Sequence, residues 1–201
     1  YSLGILASDD RAPGNSIPSG DPRAGDRATF TVARLSRDIF RQSSVGVIYT
    51  DRELPGTSAF NRIGGVDSRL KFNRNWTGMF QAVASSTGDI DGNHQAGPAY
   101  KAETTYSGSN LGYDVTYNDV SPGFVTQPGF VTRVDLREIR QALDYRWRPG
   151  SGPIVAWGPS LTTDHVWAHD GTRLDTSYNP EFTVSLRGQT YFTVDPYSEL
   201  R

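Results

Sequence analysis

The sequence predicts an all-β protein, an antiparallel up-and-down meander of about ten strands. Three observations support this prediction. Apolar and polar residues alternate with a period of two in many segments. The chain contains 21 glycines and 12 prolines but only one methionine, which indicates many turns and few long helices. The polar connections between candidate strands alternate between short and long along almost the whole chain.

The alternation is clearest in four segments. In Arg62–Phe72, for example, Val66 and Leu70 lie on one side of the strand, and Asp67 and Arg69 lie on the other. The remaining three are Ala99–Ser107, Leu111–Asn118 and Phe182–Arg187. Weaker candidates complete the set, namely Tyr1–Ser8, Ala28–Phe40, Val45–Asp51, Trp76–Ser85, Arg133–Trp147 and Ile154–Trp167.

The segment Asp135–Trp147 fits two patterns, because its apolar residues recur at helical spacing as well as at strand spacing. We favour a strand, since the neighbouring hairpins leave no place for a crossover helix. A β-bulge near Glu138 would then restore the alternation. It would place the following residues on one side: Ile139, Gln141, Leu143 and Tyr145.

The connections suggest an orientation. Short polar turns are predicted at Arg41–Ser44, Asn73–Asn75, Ser107–Asn110 and Arg148–Pro153. Longer connections are predicted at Asp9–Arg27, Arg52–Asn61, Ser86–Pro98, Asp119–Thr132 and Ala168–Pro180. Outer-membrane barrels have tight periplasmic turns and long outer loops. We therefore expect Asn73–Asn75 and Ser107–Asn110 on the periplasmic side, and Ser86–Pro98 and Asp119–Thr132 outside. Within the first long connection, Arg11–Arg27 is the best candidate for a mobile loop.

Composition limits the classes of protein. We expect residues 1–201 to form a single β-barrel or barrel-segment domain, as an excerpt of a longer chain. A net charge of -2 and a pI near 5.9 give no reason to expect a nucleic-acid partner. The absence of cysteine excludes disulfides and thiolate metal sites. No apolar run approaches the roughly 20 residues that a transmembrane helix needs.

The two sides of the candidate strands suggest a lipid side and a lumen side. Tyr100 and Tyr106 share the apolar side and lie about 20 Å apart along the strand, the separation of two interfacial aromatic rings. Mixed charges on the other side could pair across neighbouring strands inside a polar lumen. The residues predicted to line and bind at this interior are Asp67, Arg69, Lys71, Lys101, Glu103 and Asp114. A soluble sheet with its charged side in water remains the alternative.

Three stretches together carry a family resemblance: Phe30–Glu53, Asn61–Gly88 and Tyr100–Pro149. The most characteristic piece runs from Pro128-Gly129-Phe130-Val131 through Arg133, Asp135 and Arg137 to Tyr145-Arg146-Trp147-Arg148-Pro149. These stretches resemble the C-terminal, barrel-like region of a bacterial family whose N-terminal part resembles a family-9 carbohydrate-binding domain. The resemblance implies an envelope protein of the Gram-negative type with an outer-membrane β-barrel region. The family has no established reaction, so no catalytic residue is carried over. Residues 1–201 include neither the carbohydrate-binding-like domain nor a terminal aromatic strand, so we expect them to be an excerpt of a longer barrel.

Candidate chemical sites are weak. The segment Asp89–Asn93 has part of a calcium-loop pattern but lacks the later bidentate Glu. His165 and His169 would meet on a helix, but in a strand they lie about 13 Å apart, too far to share a metal ion. Phosphate-loop and nucleophile-elbow patterns are absent. We therefore predict no catalytic residues, no metal and no cofactor, and we expect that the chain is not an enzyme.

The sequence thus favours a segment of an outer-membrane β-barrel with a channel, uptake or scaffold role. Its partners would be outer-membrane lipid and the species that its lumen passes or binds. The alternative is a soluble β-sandwich or β-clam module that binds glycans through Trp and Tyr. Four tryptophans lie beside turns or strand ends, where they would anchor a membrane interface or stack on sugar rings: Trp76, Trp147, Trp157 and Trp167.

Overall fold

A computed structural model describes residues 1–15, 17–129, 131–196 and 198–200, with no account of the side chains of residues 199 and 200. Phe130, which belongs to the most characteristic stretch of the family resemblance, lies outside the described residues. The elements are β1 (Ser2–Asp10), α1 (Ala12–Asn15), β2 (Ala28–Ile39), β3 (Ser43–Glu53), β4 (Phe60–Lys71), β5 (Trp76–Gly88), β6 (His94–Ser107), β7 (Leu111–Val120), β8 (Leu136–Tyr145), β9 (Ile154–Trp167), β10 (Arg173–Leu186), β11 (Thr190–Val194) and β12 (Ser198–Leu200).

The strands form one antiparallel meander, which confirms the predicted fold class. Their order in the sheet is their order in the chain, from β1 to β11, with β12 paired to β10. Within the described residues the sheet is not closed into a barrel, because β1 has β2 as its one neighbour. In the same part of the chain, no helix is both long enough and apolar enough to cross a membrane.

The ambiguous segment is a strand, as we expected, but the predicted bulge near Glu138 is wrong in the ladder with β9. The pairing of β8 with β9 is continuous from Arg137–Trp167 to Asp144–Ser160. Ile139, Gln141 and Leu143 still lie on one side, because uninterrupted alternation places them there.

Three predicted long connections are shorter in the structure. The β3–β4 connection comprises residues 54–59, the β5–β6 connection residues 89–93, and the β9–β10 connection residues 168–172. The polar residues on either side of these connections continue the strands, since backbone hydrogen bonds do not require apolar side chains. The connections of residues 11–27 and 121–135 remain long.

The last two strands share one register along β10. Phe182 pairs with Val194, and Thr176 pairs with Leu200, so the same offset continues from β11 into β12. At that offset Pro180 falls opposite Pro196. Neither proline has a backbone N–H to donate, which explains the interruption of the ladder between β11 and β12.

The chain divides into two compact units. Unit 1 comprises Tyr1–Arg69, Phe80–Tyr100 and Val120–Asp135. Unit 2 comprises Leu70–Met79, Lys101–Asp119 and Leu136–Arg201. Several strands contribute residues to both units.

Candidate functional site

The apolar side of unit 1 is exposed. Leu35 pairs with Val47, which pairs in turn with Val66, so these three side chains form a row across β2, β3 and β4. Their exposed fractions are 43%, 50% and 54%. Ile5 of β1 is 69% exposed. It pairs with Ala33, which lies two residues before Leu35 and therefore on the same side of β2. An apolar surface of this extent normally contacts a membrane or a partner.

The opposite side of unit 1 is polar and carries an ion pair. Arg34 Nη2 donates to Asp67 Oδ1 at 2.6 Å, and Arg34 Nε donates to Asp67 Oδ2 at 3.3 Å. Gly46 makes room for this pair, because a Cβ there would lie 2.9 Å from Asp67 Oδ2. Arg69 lies two residues further along β4, opposite Ser44. Asp67 and Arg69 are therefore on the side where the sequence places them.

At the long-connection end of unit 1, residues 121–127 pack onto this polar side. We call them the pinned segment. Asn61 is fully buried beneath them, and its Nδ2 donates to Thr87 Oγ1 at 2.7 Å and to the Val125 carbonyl at 2.9 Å. Asn61 Oδ1 accepts from the Gln127 amide at 3.1 Å. One side chain of the sheet thus holds the backbone of the segment at two residues.

Further contacts fix the pinned segment. Ser85 Oγ accepts from the Val125 amide at 3.0 Å and donates to the Gly97 carbonyl at 3.3 Å. A Cβ at Gly97 would lie 2.5 Å from the Phe124 nitrogen, so the close approach requires glycine at this position. Phe124 itself is 5% exposed. Arg52 Nη1 donates to Gln127 Oε1 at 2.7 Å.

The apolar side of unit 2 carries aromatic residues at its short-turn end. The rings of Trp147 and Trp157 stack with centroids 4.6 Å apart, and the Tyr145 ring lies 4.3 Å from that of Trp147. Trp76 and Tyr106 form a second pair at 5.0 Å. These residues lie beside turns, as the sequence indicates, and their rings pack against one another.

A smaller aromatic group lies at the other end of unit 2. The His165 ring is stacked 5.9 Å from that of Trp167 and meets the Tyr178 ring edge-on at 5.4 Å. Tyr117 Oη donates to Asp119 Oδ2 at 3.0 Å. Aromatic side chains therefore lie near both ends of the strands of this unit.

The polar side of unit 2 contains the other four predicted residues. Lys101 Nζ lies 3.4 Å from Glu103 Oε2 within β6. Thr105 Oγ1 donates to Asp114 Oδ2 at 2.7 Å. The fourth residue, Lys71, donates from Nζ to Thr77 Oγ1 at 3.3 Å. The structure thus gives three local polar contacts instead of one combined charge cluster.

The same side of unit 2 has charged residues that sequence reasoning missed. Asn118 Nδ2 donates to Glu138 Oε2 at 2.6 Å. Arg140 pairs in register with Asp164, whose Oδ1 is buried without a hydrogen-bond partner. Period-two alternation places Glu138, Arg140 and Asp164 on the polar side, so the signal was present in β8 and β9.

The histidines belong to different environments. His169 Nε2 lies 2.9 Å from Asp119 Oδ1, and Arg137 Nε lies 3.3 Å from Asp119 Oδ2. His165 belongs to the aromatic group described above. Across the described residues, no cluster of three or more His, Cys, Asp or Glu side chains is arranged to hold a metal ion.

The candidate calcium loop at residues 89–93 is closed by its own hydrogen bonds. Asn93 Nδ2 donates to Asp89 Oδ2 at 2.8 Å, and the amides of Asp91 and Asn93 donate to Asp89 Oδ1 at 2.9 Å. These hydrogen bonds, led by that of the Asn93 side chain, lower the pKa of Asp89 below its usual range. The carboxylate therefore serves as a turn acceptor.

Comparisons with known proteins give no further assignment. No protein-family model matches the chain. No curated protein matches it, and no solved structure matches it. The resemblance to the bacterial barrel-bearing family therefore stays a prediction.

Proposed function

We propose that this chain is part of the wall of an outer-membrane β-barrel with a channel, uptake or scaffold role, in an envelope of the Gram-negative type. The observation that carries the proposal is the exposed apolar side of a meander whose other side is charged. The row Leu35, Val47 and Val66 represents this side in unit 1. Lipid can cover this side because strands β2 to β10 are paired on both edges, and the outer edges of β1 and β11 would need further barrel strands as partners.

Burial within the chain favours lipid over a soluble core. In the described part of the chain, the buried apolar residues are Ala28, Leu54, Ile63, Phe124 and Ala168. Ile63 pairs with Thr50 and so lies on the polar side of unit 1, while Phe124 belongs to the pinned segment. A soluble sheet buries its apolar side against a second layer. Here the apolar side is exposed, and the buried residues lie elsewhere.

The aromatic residues support the same proposal. In unit 2 the rings of Trp147 and Trp157 lie near the short turns, and Trp167 lies at the opposite end of β9. Transmembrane barrels have aromatic girdles at both edges of an apolar band about 25 Å tall. Strands such as β9 (Ile154–Trp167) and β10 (Arg173–Leu186) are long enough for such a band, which needs about 9–11 tilted residues.

The polar side would line the interior. Its charges of both signs would set which solutes pass or bind, as pore-lining residues generally do. The six predicted residues Asp67, Arg69, Lys71, Lys101, Glu103 and Asp114 remain our candidates for this role. We add Arg34, because it pairs with Asp67, and the pinned segment, because it occupies the polar side of unit 1.

The second candidate is a soluble module that binds glycans. The stacked rings of Trp147 and Trp157, with Trp147 41% exposed, favour it, because flat aromatic surfaces stack on sugar rings. It requires another layer or partner to cover the apolar side. Cell fractionation separates the two candidates, since recovery in the aqueous fraction without detergent would exclude the membrane proposal.

A pair of neighbouring substitutions tests the lipid side directly. Leu35 lies on the apolar side of β2, and Ser36 lies on the polar side. Leu35→Arg should reduce the free energy of unfolding in vesicles by about 2–4 kcal/mol if the position lies near the midplane, because a guanidinium would face hydrocarbon. Ser36→Arg is the matched control and should change it by less than about 1 kcal/mol. Equal losses in urea titrations of the two variants would contradict the proposal.

A further inference from the structure

The pinned segment runs across four neighbouring strands of unit 1 instead of along one of them. It begins on β6, where the Ser121 amide donates to the Pro98 carbonyl at 3.1 Å. Its middle lies over β5 and β4, and its last residue reaches β3, through the contacts of Ser85, Asn61 and Arg52 described above. Neighbouring strands are about 4.8 Å apart, so the segment extends about 14 Å across the sheet.

The segment lies directly on the backbone of β6. A Cβ at Gly123 would clash with the Ala96 carbonyl oxygen, and a Cβ at Gly97 would lie 2.5 Å from the Phe124 nitrogen. Glycine is therefore required on both surfaces of this contact. Packing this close leaves no room for a solute between the segment and β6.

The segment can leave the sheet without breaking a strand. It belongs to the connection of residues 121–135 between β7 and β8, and side chains of the sheet make most of the bonds that hold it. Closure also leaves one group unsatisfied, since Ser121 Oγ is buried without a hydrogen-bond partner. A buried hydroxyl without a partner costs free energy, which water would restore in an open segment. A small number of contacts therefore holds the closed position.

The segment itself carries no charge. Residues 121–127 contain no Asp, Glu, Lys or Arg. The Arg34–Asp67 ion pair lies further along the polar side, because Asp67 is six residues beyond Asn61 in β4, or about 20 Å at the usual strand rise. The side chains of the segment thus give no charge selection, and its effect on a solute would be steric.

We propose that the pinned segment is a gate for solutes on the polar side of unit 1, and that Asn61 is the positioning residue that keeps it closed. In the closed position the segment excludes solutes from the wall beneath it, and in the open position they reach that wall. The carboxamide of Asn61 makes two of the bonds that hold the segment, to Val125 and Gln127. The proposal rests on the barrel proposed above, in which the polar side faces the interior.

Thiol labelling measures access to the wall beneath the segment. The 201-residue chain has no cysteine, so Ser85→Cys introduces a single thiol under the segment, where Ser85 is 4% exposed and contacts Val125. Ser36→Cys is the matched probe, because Ser36 lies on the same side of unit 1, level with Asp67. Each full chain is refolded into vesicles and labelled with N-ethylmaleimide, which is small, uncharged and able to cross the membrane. We expect slow labelling at position 85 and fast labelling at position 36.

Two variants open the gate at different places. Asn61→Ala removes two bonds to the segment, so labelling at position 85 should accelerate about thirtyfold, while position 36 stays within about threefold of its rate. Gly123→Ala forces the segment away from β6 and should also accelerate labelling at position 85. Gly20→Ala is the control, since a Cβ there meets nothing within 4 Å, and it should change neither rate. The acceleration should persist without change in low urea, because local opening exposes little surface, whereas global unfolding would depend steeply on urea.

The outcomes separate the gate from the barrel, because insertion into the vesicles is measured first. A chain that inserts but labels equally fast at positions 85 and 36 disproves the gate and leaves the barrel proposal intact. An unchanged rate at position 85 in both Asn61→Ala and Gly123→Ala would also overturn the gate, and if one of these variants does not fold, the other decides. An acceleration that rises steeply with urea would refute the positioning role of Asn61. A chain that inserts into no vesicle contradicts the barrel and the gate together.

Discussion

Replacing Asn61 with Ala should release the pinned segment from the polar side of unit 1. The change removes three hydrogen bonds, which join Asn61 to Thr87, Val125 and Gln127. Asn61 is fully buried, so water does not replace these partners without local opening. Two of these bonds join Asn61 to the segment, since Thr87 belongs to β5. At about 1 kcal/mol for each hydrogen bond, the segment loses about 2 kcal/mol of attachment. That loss corresponds to about a thirtyfold higher population of the open segment.

Amide hydrogen exchange measures this opening at single residues. The Gln127 amide loses its acceptor directly, so its exchange should accelerate whether or not the segment opens. The Val125 amide is the stricter probe, because its acceptor is Ser85 Oγ, which the substitution leaves in place. We expect exchange at Val125 to accelerate about thirtyfold if the whole segment opens.

The control is Asn118→Ala in unit 2, which removes a comparable side-chain hydrogen bond to Glu138. It should leave exchange at Val125 and Gln127 unchanged. If Asn61→Ala accelerates exchange at Gln127 but leaves Val125 within about threefold of the wild-type rate, Asn61 does not hold the segment. A general loss of stability would accelerate exchange throughout unit 1. That result would contradict the claim that Asn61→Ala opens the pinned segment alone.

Two further predictions concern single positions. Gly97→Ala should destabilise the chain by about 1–3 kcal/mol in chemical denaturation, because the new Cβ would lie 2.5 Å from the Phe124 nitrogen. Gly64→Ala is the matched control within unit 1, since a Cβ there meets nothing within 4 Å; an equal loss in both variants would contradict this reason. Acid should loosen the 89–93 turn, because the pKa of Asp89 is lowered from 3.8 in the folded chain. Its stabilising hydrogen bonds are present above pH 3.8 and are lost as the pH falls through the lower folded pKa, which amide exchange at Asn93 measures. In Asp89→Asn this pH dependence should disappear, and a dependence that persists would exclude Asp89 as its source.

The order of strands and the division into two sides could be predicted from the sequence. A period of two fixes which residues of one strand lie together, as in Arg62–Phe72. Antiparallel neighbours joined by short turns then follow one another in the sheet. The positions of the charged residues on the polar side followed from the same rule. Their role in passage or binding remains a proposal.

The pinned segment could not be predicted in this way. Its contacts join Asn61, Ser85 and Gly97 to residues 121–127, which are far away in sequence and carry no periodic signal. A loop sequence rich in Gly and Pro predicts a turn but not the surface on which the turn lies. The aromatic packing could not be predicted either. The sequence places Trp147 and Trp157 beside turns, but the stacking of their rings depends on the register of the strands.

Three connections are shorter than predicted for a physical reason. Polar residues such as Ser86, His94 and Gln95 suggest a loop, yet they belong to β5 and β6. Ser86 Oγ and His94 Nε2 lie 3.0 Å apart across these strands, and Gln95 reaches the Pro122 carbonyl. Polar side chains thus continue a ladder when each finds a partner on a neighbouring segment.

The most direct test of the central claim asks which side of β3 contacts lipid. The chain has no cysteine, so Val47→Cys and Ile48→Cys each introduce a single labelling site. The two parent residues are both apolar, but Val47 lies on the exposed apolar side and Ile48 lies on the polar side with Arg34. A fluorophore attached to each cysteine in vesicles is quenched either by lipids with brominated chains or by iodide in water. We expect lipid quenching at position 47 and iodide quenching at position 48. Quenching by iodide alone at both positions, or by lipid alone at both, would contradict it.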